Sequence, residues 1–326
     1  MLETSNPNKA FHLESNNIQY NKMLYFCEKA AKSNANVLLV GESGSGKEVA
    51  ARYIHYYSKR KENPLISINC SSYTETLLES ELFGHEEGAF TGASRMKQGK
   101  IETAHNGTLF LDEIGDLSLT TQVKLLRTIE QKKIQRLGSN KERAVDFRLI
   151  SATNIDIATA VANRDFREDF FYRINTIVIP VPALRDRKED LDGLIEFMMK
   201  RAQAEHGISI HSIEPSVSKF LKDYHYPGNI RELKNIIDRM VILSDKGTIT
   251  EDGLPIMYDI EANDNSRNHY HFNDLISFKS YQHQSEAAYL EWVLAQFDGN
   301  VGRASEALDI SSRQLFNKVK TYGLKD

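Results

Sequence analysis

The chain has 326 residues, 40% hydrophobic and 26% charged, which is ordinary for a globular protein with about two cored domains. The net charge of −4 excludes a whole-molecule attraction to nucleic acid, so any DNA-binding surface has to be a local patch. Cys27 and Cys70 form no CxxC pair, which disfavours a zinc site or a disulfide framework. With a polar N-terminus and no apolar run near ~20 residues, we expect no signal peptide, no membrane contact and a cytoplasmic location.

A short tail, residues 1–17, precedes a region in which short β-branched or aliphatic runs alternate with helical segments. One such segment, Gln122–Gln131, spaces Val123, Leu126 and Ile129 along one helical face. The alternation predicts a parallel α/β sheet over residues 18–182. The five predicted strands are Val37–Val40, Leu65–Ile68, Thr108–Leu111, Arg148–Ser151 and Thr176–Ile179.

Strand-like runs stop after Pro182, and residues 183–250 predict a small domain of helices only. Residues 251–284 are rich in Asn, Asp, Ser and His, which is typical of a linker. His269 and His271 lie in that stretch, but nothing nearby supplies further metal ligands, so a solvated linker is the favoured interpretation. Residues 285–326 are helical again.

The first strand leads directly into a GxxxxGK stretch that opens a helix predicted over Glu48–Tyr57. This spacing is typical of a phosphate-binding loop, in which backbone N–H groups surround the phosphates and Lys47 neutralises their oxygens. Glu48 stands where a hydroxyl ligand to Mg²⁺ is usual. The predicted nucleotide-binding residues of this loop are Gly41, Glu42, Ser43, Gly44, Ser45, Gly46, Lys47 and Glu48.

The third strand ends in two acids, Asp112 and Glu113. Asp112 would hold the metal ion and Glu113 would polarise a water molecule. An ordinary helix cap is the alternative, but the upstream phosphate loop favours catalysis and predicts ATP and Mg²⁺ as ligands.

Between these two motifs lies an uncharged hexapeptide, Gly88, Ala89, Phe90, Thr91, Gly92 and Ala93. Two glycines disfavour a strand or helix and favour a flexible tip that presents Phe90 and Thr91. Alone it would be a plain surface loop, and its place inside a predicted ATPase is what favours a function.

Together these motifs resemble closely the AAA+ bacterial enhancer-binding proteins that activate sigma-54 RNA polymerase. The similarity extends over nearly all of residues 20–326, and Glu48 matches that family's own variant of the phosphate loop. It implies a P-loop AAA+ ATPase with a parallel sheet, a small all-α lid and a C-terminal Fis-type helix-turn-helix. The further matching stretches are Glu81–His85, Gly107–Glu113, Phe166–Asp169, Tyr172–Arg173 and Tyr226–Leu233.

The resemblance also implies a ring, usually a hexamer, with a dimer as its resting form. Within the ring it implies roles for single residues. Asn69 would reorient Glu113, and Asn154 would sense the γ-phosphate. Arg167 and Arg173 would be arginine fingers that reach a neighbouring subunit's site. Arg231, in the second domain, would contact the nucleotide.

The hexapeptide would then be the loop that touches sigma-54, with residues 132–139 as a second loop beside it. Because its N-terminal tail is short, the chain resembles the receiver-less subgroup that includes phage-shock and Hrp (type III secretion) regulators. Control would then come from a separate regulatory or co-activator protein.

The C-terminal block predicts three helices, with Leu290, Val293, Leu294 and Phe297 on one face of the first and a tight turn before the third. It resembles the Fis-type DNA-binding domain. A helical dimerisation domain without DNA contact is the alternative. The predicted DNA-contacting residues are Arg303, Ser312, Arg313, Gln314, Asn317, Lys318 and Lys320.

The leading hypothesis is an ATP-hydrolysing activator that binds enhancer DNA and remodels the closed complex of sigma-54 RNA polymerase. One alternative is a nucleotide-sensing DNA-binding regulator that does not remodel sigma-54, and another is an AAA+ remodeller of a different class. The intact hexapeptide and acidic pair disfavour the first alternative, and the position of the hexapeptide between the phosphate loop and Asp112 disfavours the second.

Overall fold

The computed structural model describes residues 15–254, 286–287, 289–290, 292–294, 296–297, 300–308 and 310–322. The chain forms two compact units, Met1–Ile256 and Met257–Asp326, described separately below. His269 and His271 lie outside the described residues. Among the described residues, no helix combines the length and apolarity needed to cross a membrane.

The first unit contains a five-stranded parallel sheet, which confirms the predicted α/β class and all five strands. Its strands are β1 (Val37–Val40), β2 (Leu65–Asn69), β5 (Thr108–Asp112), β8 (Arg148–Thr153) and β9 (Ile177–Pro180), and their order across the sheet is β2-β5-β8-β1-β9. Two short antiparallel ladders lie outside this sheet, β3 (Gly84–His85) with β4 (Lys97–Gln98) and β6 (Lys133–Gln135) with β7 (Glu142–Ala144).

Alternate side chains of the central strands enter two separate cores, as a strand buried on both faces requires. Leu109 and Leu111 pack into one core, whereas Phe110 between them packs into the other. Both cores are closed by helices. The helices of this part are α1 (Ile18–Ala31), α2 (Lys47–Tyr56), α3 (Glu75–Phe83), α4 (Lys100–Thr103), α5 (Leu119–Gln131), α6 (Ile157–Ala162) and α7 (Glu168–Ile174).

Helix α5 begins earlier than its apolar spacing predicts, because Ser118 caps it by accepting a hydrogen bond from the Thr121 N–H at 3.2 Å. Its buried face is centred on Leu125 and Ile129, while Val123 and Leu126 are only half-buried. The helix ends at Lys132, whose φ of 55° is left-handed.

The lid follows β9 and contains α8 (Leu191–His206), α9 (Pro215–Asp223) and α10 (Asn229–Ile242). The expectation of helices only is wrong in one detail: β10 (Ser212–Ile213) and β11 (Thr248–Ile249) pair in parallel. Two-residue strands are too short to show a period of two in the sequence.

In the second unit, α11 (Val301–Ala307) and α12 (Ser312–Tyr322) follow helical residues between 286 and 296. Leu290, Val293, Leu294, Leu315 and Val319 form their shared core. The third predicted helix therefore lies where its pattern indicates.

We expect Leu39→Ala, at a fully buried position of β1, to lower the free energy of unfolding by about 2–5 kcal/mol, because it leaves a cavity. The matched control is Leu77→Ala in α3, where the side chain is 51% exposed and the loss should be below about 0.5 kcal/mol. Urea denaturation measures both. Equal losses would contradict the assignment of Leu39 to the core.

Candidate functional site

The carboxyl ends of the parallel strands bring the predicted site residues to one edge of the sheet. Register pairs Asn69 at the end of β2 with Asp112 at the end of β5. Val40 pairs with Thr153 at the end of β8, so the loop after β1 and Asn154 leave from the same edge. Ligands of open parallel sheets bind at this edge.

Glycines allow the loop after β1 to curl over this edge. Gly44 has φ 74° and Gly46 has φ 104°, both left-handed. A Cβ on Gly44 would lie 2.3 Å from the Gly228 carbonyl oxygen, so no other residue fits there. The loop leads into the N-terminus of α2, which favours an anion.

Polar groups inside the loop are arranged for a phosphate. The Lys47 Nζ donates to the carbonyl oxygens of Gly41 and Glu42 at 2.8 and 3.1 Å, and the side chain is only 5% exposed. The Ser45 Oγ is buried and has no partner among the described residues. A buried, unpaired hydroxyl beside a buried ammonium is costly unless a ligand engages both.

The N-terminal turn of lid helix α10 holds the loop from the other side. The Ile230 N–H donates to the Gly44 carbonyl oxygen at 3.0 Å, and the Arg231 Nη1 donates to the Ser43 Oγ at 2.8 Å. Arg231 also lines the cavity beside the loop. The lid is therefore bonded directly to the phosphate loop.

Asn229 lies at the centre of this attachment, and sequence reasoning assigned it no role. It is fully buried at φ 54°, and its Nδ2 donates to the Ser43 carbonyl oxygen at 3.0 Å and to the Glu42 Oε2 at 3.1 Å. Its Oδ1 accepts from the Leu184 N–H at 2.8 Å. The Pro-Gly-Asn turn before a helix was the available signal, because Asn tolerates left-handed backbone.

Glu42 is paired with the lid rather than directed at a ligand. Both Nη atoms of Arg185 donate hydrogen bonds to the Glu42 carboxylate. Hydrogen bonds from Arg185 and then Asn229 lower the pKa of Glu42 to about 2. Glu48 likewise pairs with Arg52, at 2.7 Å between its Oε1 and the Arg52 Nη2.

The two acids after β5 face Lys47 below the loop. Burial raises the pKa of Asp112, against the nearby Lys47 ammonium, and burial likewise raises the pKa of Glu113. The Glu113 Oε1 lies 3.7 Å from the Lys47 Nζ, while the Glu113 Oε2 is buried without a partner among the described residues. Glu113 also has φ 52°, a strained conformation for a non-glycine residue. Strain and an unpaired oxygen indicate a functional carboxylate.

These groups line a cavity of about 260 Å³ that continues toward the lid. Its far wall includes Leu194, Phe197, Met198, Tyr20 and Arg187. The Arg187 guanidinium carbon lies 3.6 Å from the centre of the Tyr20 ring. The cavity thus has a polar end for phosphates and an apolar, aromatic end for a base.

Arg187 is 1% exposed and is held by a carboxylate that also binds the start of the described chain. Its Nε donates to the Asp190 Oδ2 at 2.9 Å, and its Nη2 has no partner among the described residues. Asp190 accepts further bonds from the Ser15 Oγ at 2.6 Å and the Asn16 N–H at 2.9 Å. This charged pair had no signal in the sequence pattern.

Four predicted catalytic residues do not line the cavity. The Asn69 Oδ1 accepts from the Ser71 N–H at 2.9 Å and from the Ser71 Oγ at 2.7 Å. The Asn154 side chain is exposed, while its backbone N–H favours the charged form of Glu113.

Arg167 and Arg173 are both exposed. Arg167 immediately precedes α7, and Arg173 lies in its last turn. The Arg167 guanidinium binds Asp169 at 3.0 and 2.7 Å, and the Arg173 Nη2 donates to the Ile129 carbonyl oxygen at 3.5 Å.

The hexapeptide is a closed loop, which differs from the expected flexible tip. The Gly88 N–H donates to the Ala93 carbonyl oxygen at 2.9 Å, and the Ala93 N–H donates to the Phe90 carbonyl oxygen at 3.0 Å. Phe90 is half-buried and packs edge-on against His85, with ring centres 5.0 Å apart. Within the hexapeptide only Thr91 and the two glycines are exposed. The phenyl ring of Phe90 is half-buried because removing apolar surface from water is favourable.

The second predicted loop, residues 132–139, contacts the hexapeptide directly. A Cβ on Gly138 would lie 2.9 Å from the Ala89 Cβ, and the Leu137 carbonyl oxygen accepts from the Glu86 N–H at 3.0 Å. Arg136, 7% exposed, binds Glu86 at 3.1 Å and Glu102 at 2.7 Å. The two loops therefore form one packed assembly.

In the second unit, three of the predicted DNA-contacting side chains bond within the domain. The Gln314 Oε1 accepts from the Ser311 N–H at 3.0 Å and so caps α12. The Ser312 Oγ lies 2.8 Å from the Ser305 Oγ, and Lys318 forms an ion pair with Glu286. Arg303, Arg313, Asn317 and Lys320 are exposed.

Comparison with known families supports this description. Residues 13–180 match the family described as the sigma-54 interaction domain. Residues 185–270 match an AAA+ ATPase lid domain, and residues 282–322 match the bacterial regulatory proteins of the Fis family.

Individual proteins are also similar over most of the chain. It is 41% identical to the regulatory protein AtoC of Escherichia coli over 93% of this chain and 66% of that protein. It is 47% identical to the Nif-specific regulatory protein of Herbaspirillum seropedicae over 68% of this chain and 41% of that protein. The crystal structure of NtrX from Brucella abortus in complex with ATP is 32% identical, with a TM-score of 0.70 over 99% of this chain and 70% of that one.

We expect Asn229→Gly to weaken nucleotide binding at least about tenfold, because three hydrogen bonds worth about 0.5–1.5 kcal/mol each are removed from the loop–lid junction. Glycine avoids strain at φ 54°. Asn106→Gly is the matched control, since Asn106 also has left-handed backbone, φ 63°, but is exposed. Titration with a fluorescent ATP analogue measures both variants, and an unchanged Kd in Asn229→Gly would refute the junction's role.

Proposed function

Because the chain belongs to the sigma-54 interaction domain family of AAA+ transcription activators, we propose that it hydrolyses ATP to activate sigma-54 RNA polymerase. The observation that carries this proposal is the half-buried acidic pair, Asp112 and Glu113, beside Lys47. It occurs in one unit with an intact Gly88–Ala93 loop. A regulator that only sensed nucleotide would need neither a base nor that loop.

The loop and its surroundings fit a nucleoside triphosphate. Ser45 and Lys47, with the α2 N-terminus, would hold the phosphates, and Arg231 would reach them from the lid. Tyr20 and Arg187 would face the base. The NtrX structures with ATP and ADP support such a nucleotide.

We assign Asp112 to Mg²⁺, which would neutralise phosphate charge when bound, and Glu113 to the attacking water. The free Oε2 of Glu113 can accept the water proton. Burial raises the pKa of this carboxyl, which makes it a stronger base than an exposed glutamate.

Hydrolysis requires a second subunit in this proposal. Arg167 and Arg173 are exposed and do not line their own cavity, so each is available to a neighbouring site in a ring. A guanidinium supplied in this way stabilises transition-state charge. The proposed assembly is a hexamer that forms from a resting dimer.

Output passes from the acids to the hexapeptide loop. Asn69 would report the phosphate state by exchanging its Ser71 bonds for Glu113, and Asn154 would report it from the next strand. The packed pair of loops would then rise, releasing Phe90 from His85 to contact sigma-54. Gly88 and Gly92, with φ of 80° and 104°, supply the backbone freedom.

The remaining segments serve regulation and DNA binding. We propose that residues 18–182 and 183–250 form the motor and its lid, and that residues 251–284 link them to a DNA-binding domain at residues 285–326. That domain would hold the ring near its promoter on enhancer DNA. A separate protein would control the ring, as in phage-shock or type III secretion regulators.

Glu113→Gln should retain ATP binding and lower the hydrolysis rate at least about 100-fold, because an amide cannot accept the water proton. Phosphate release and analogue titration on the same sample separate the two effects. Normal turnover in this variant would overturn the assignment of the base.

Arg167→Ala should also be inactive alone, yet a one-to-one mixture with Glu113→Gln should regain activity. The mixture creates interfaces with an intact Glu113 on one subunit and an intact Arg167 on the next, giving about a quarter of wild-type turnover. A mixture as inactive as either variant alone would exclude action between subunits.

Thr91→Ala should keep ATP hydrolysis within about twofold of wild type but abolish transcription from a sigma-54 promoter, because Thr91 is exposed and far from the phosphate loop in sequence. Ser94→Ala, an exposed hydroxyl just outside the hexapeptide, is the matched control and should activate normally. Normal activation by Thr91→Ala would show that the loop has another role.

A further inference from the structure

The outward face of α12 carries an exposed aromatic side chain between two cations. Arg313, Phe316, Asn317 and Lys320 follow the spacing i, i+3, i+4, i+7 and are all exposed. Phe316 is 52% exposed, whereas its neighbours Leu315 and Val319 are 0% and 3% exposed. The ring is therefore available as an apolar contact within a charged stripe.

Contacts on the inner side of α12 fix which residues face outward. Tyr322 donates from its Oη to the Glu286 Oε2 at 2.5 Å, and Lys318 pairs with the same carboxylate. The outward residues Arg313, Asn317 and Lys320 have no side-chain hydrogen bond or ion pair within the stretches the structure describes. Helix α12 therefore presents this stripe on one exposed face.

The dimensions of the stripe match the DNA major groove. From Arg313 to Lys320 the helix rises about 10.5 Å, so the stripe spans about three base pairs when α12 lies along the groove. The long side chains of Arg313 and Lys320 would extend to the phosphates. Phe316, near the middle, would face the base edges.

We propose that Phe316 reads a thymine through its C5-methyl group. A phenyl ring cannot bond the donors and acceptors on base edges, and the thymine methyl is the apolar group that a base pair presents in the major groove. Phe316 is absent from the DNA-contacting residues expected from polar chemistry. This inference rests on the proposed DNA-binding function and adds a specificity-determining residue to it.

The test begins with duplexes selected by the full chain from a random pool. In the selected site, each thymine is replaced in turn by uracil, which removes only the methyl group. We expect one position per half-site where this change weakens wild-type binding roughly fourfold, the value for one buried methyl. Phe316→Ala should bind the thymine duplex and that uracil duplex equally, and Phe316→Leu should retain part of the difference in affinity between them.

Lys320→Ala is the matched control on the same face. It should weaken binding to all duplexes alike and preserve the difference between thymine and uracil. It should also reduce the slope of log Kd against log salt concentration by about one, as the loss of one phosphate contact requires. Equal wild-type binding to every uracil duplex, or full discrimination by Phe316→Ala, would overturn the assignment of Phe316. Selection of no sequence at all would instead overturn the DNA-binding function, and this inference with it.

Discussion

The attachment of the phosphate loop to the first turn of lid helix α10 is the constraint on which the rest of the site depends. Gly44 approaches Gly228 so closely that no side chain fits between the two backbones. Asn229 bonds both the loop and the chain entering the lid, at Ser43 and Leu184. A phosphate bound in the loop would therefore act on the lid directly, through side-chain and backbone hydrogen bonds.

The parallel sheet supplies the second requirement, since it places the phosphate loop, Asp112 and Asn69 at one edge. The site is costly for the fold: Glu113 is strained, and burial opposes the charge of both acids. Such costs are tolerated where the groups have a task. The packed pair of loops around Arg136 lies in the same unit, so the phosphate loop and the hexapeptide belong to one compact unit.

Much of the fold was accessible from the sequence because long apolar runs and fixed glycine spacings carry local signals. The strands, the phosphate loop and α12 belong to this class. Arg187 does not, because its place beside Tyr20 is set by a partner far away in sequence. Asn229, Phe90 and Gln314 had local signals that were missed: a Pro-Gly-Asn turn, a nearby aromatic ring at His85 and the Ser-x-x-Gln capping spacing from Ser311. The proposed roles of Arg167 and Arg173 depend on a second subunit, which one chain cannot display.

The central claim is that ATP hydrolysis in this site drives sigma-54 RNA polymerase, and reconstituted transcription tests it most directly. The full chain, sigma-54 RNA polymerase and a duplex promoter carrying an upstream site would be incubated with ATP or with a non-hydrolysable analogue. We expect transcripts with ATP and none with the analogue. Equal transcription with both nucleotides, or activation only of the housekeeping polymerase, would contradict it.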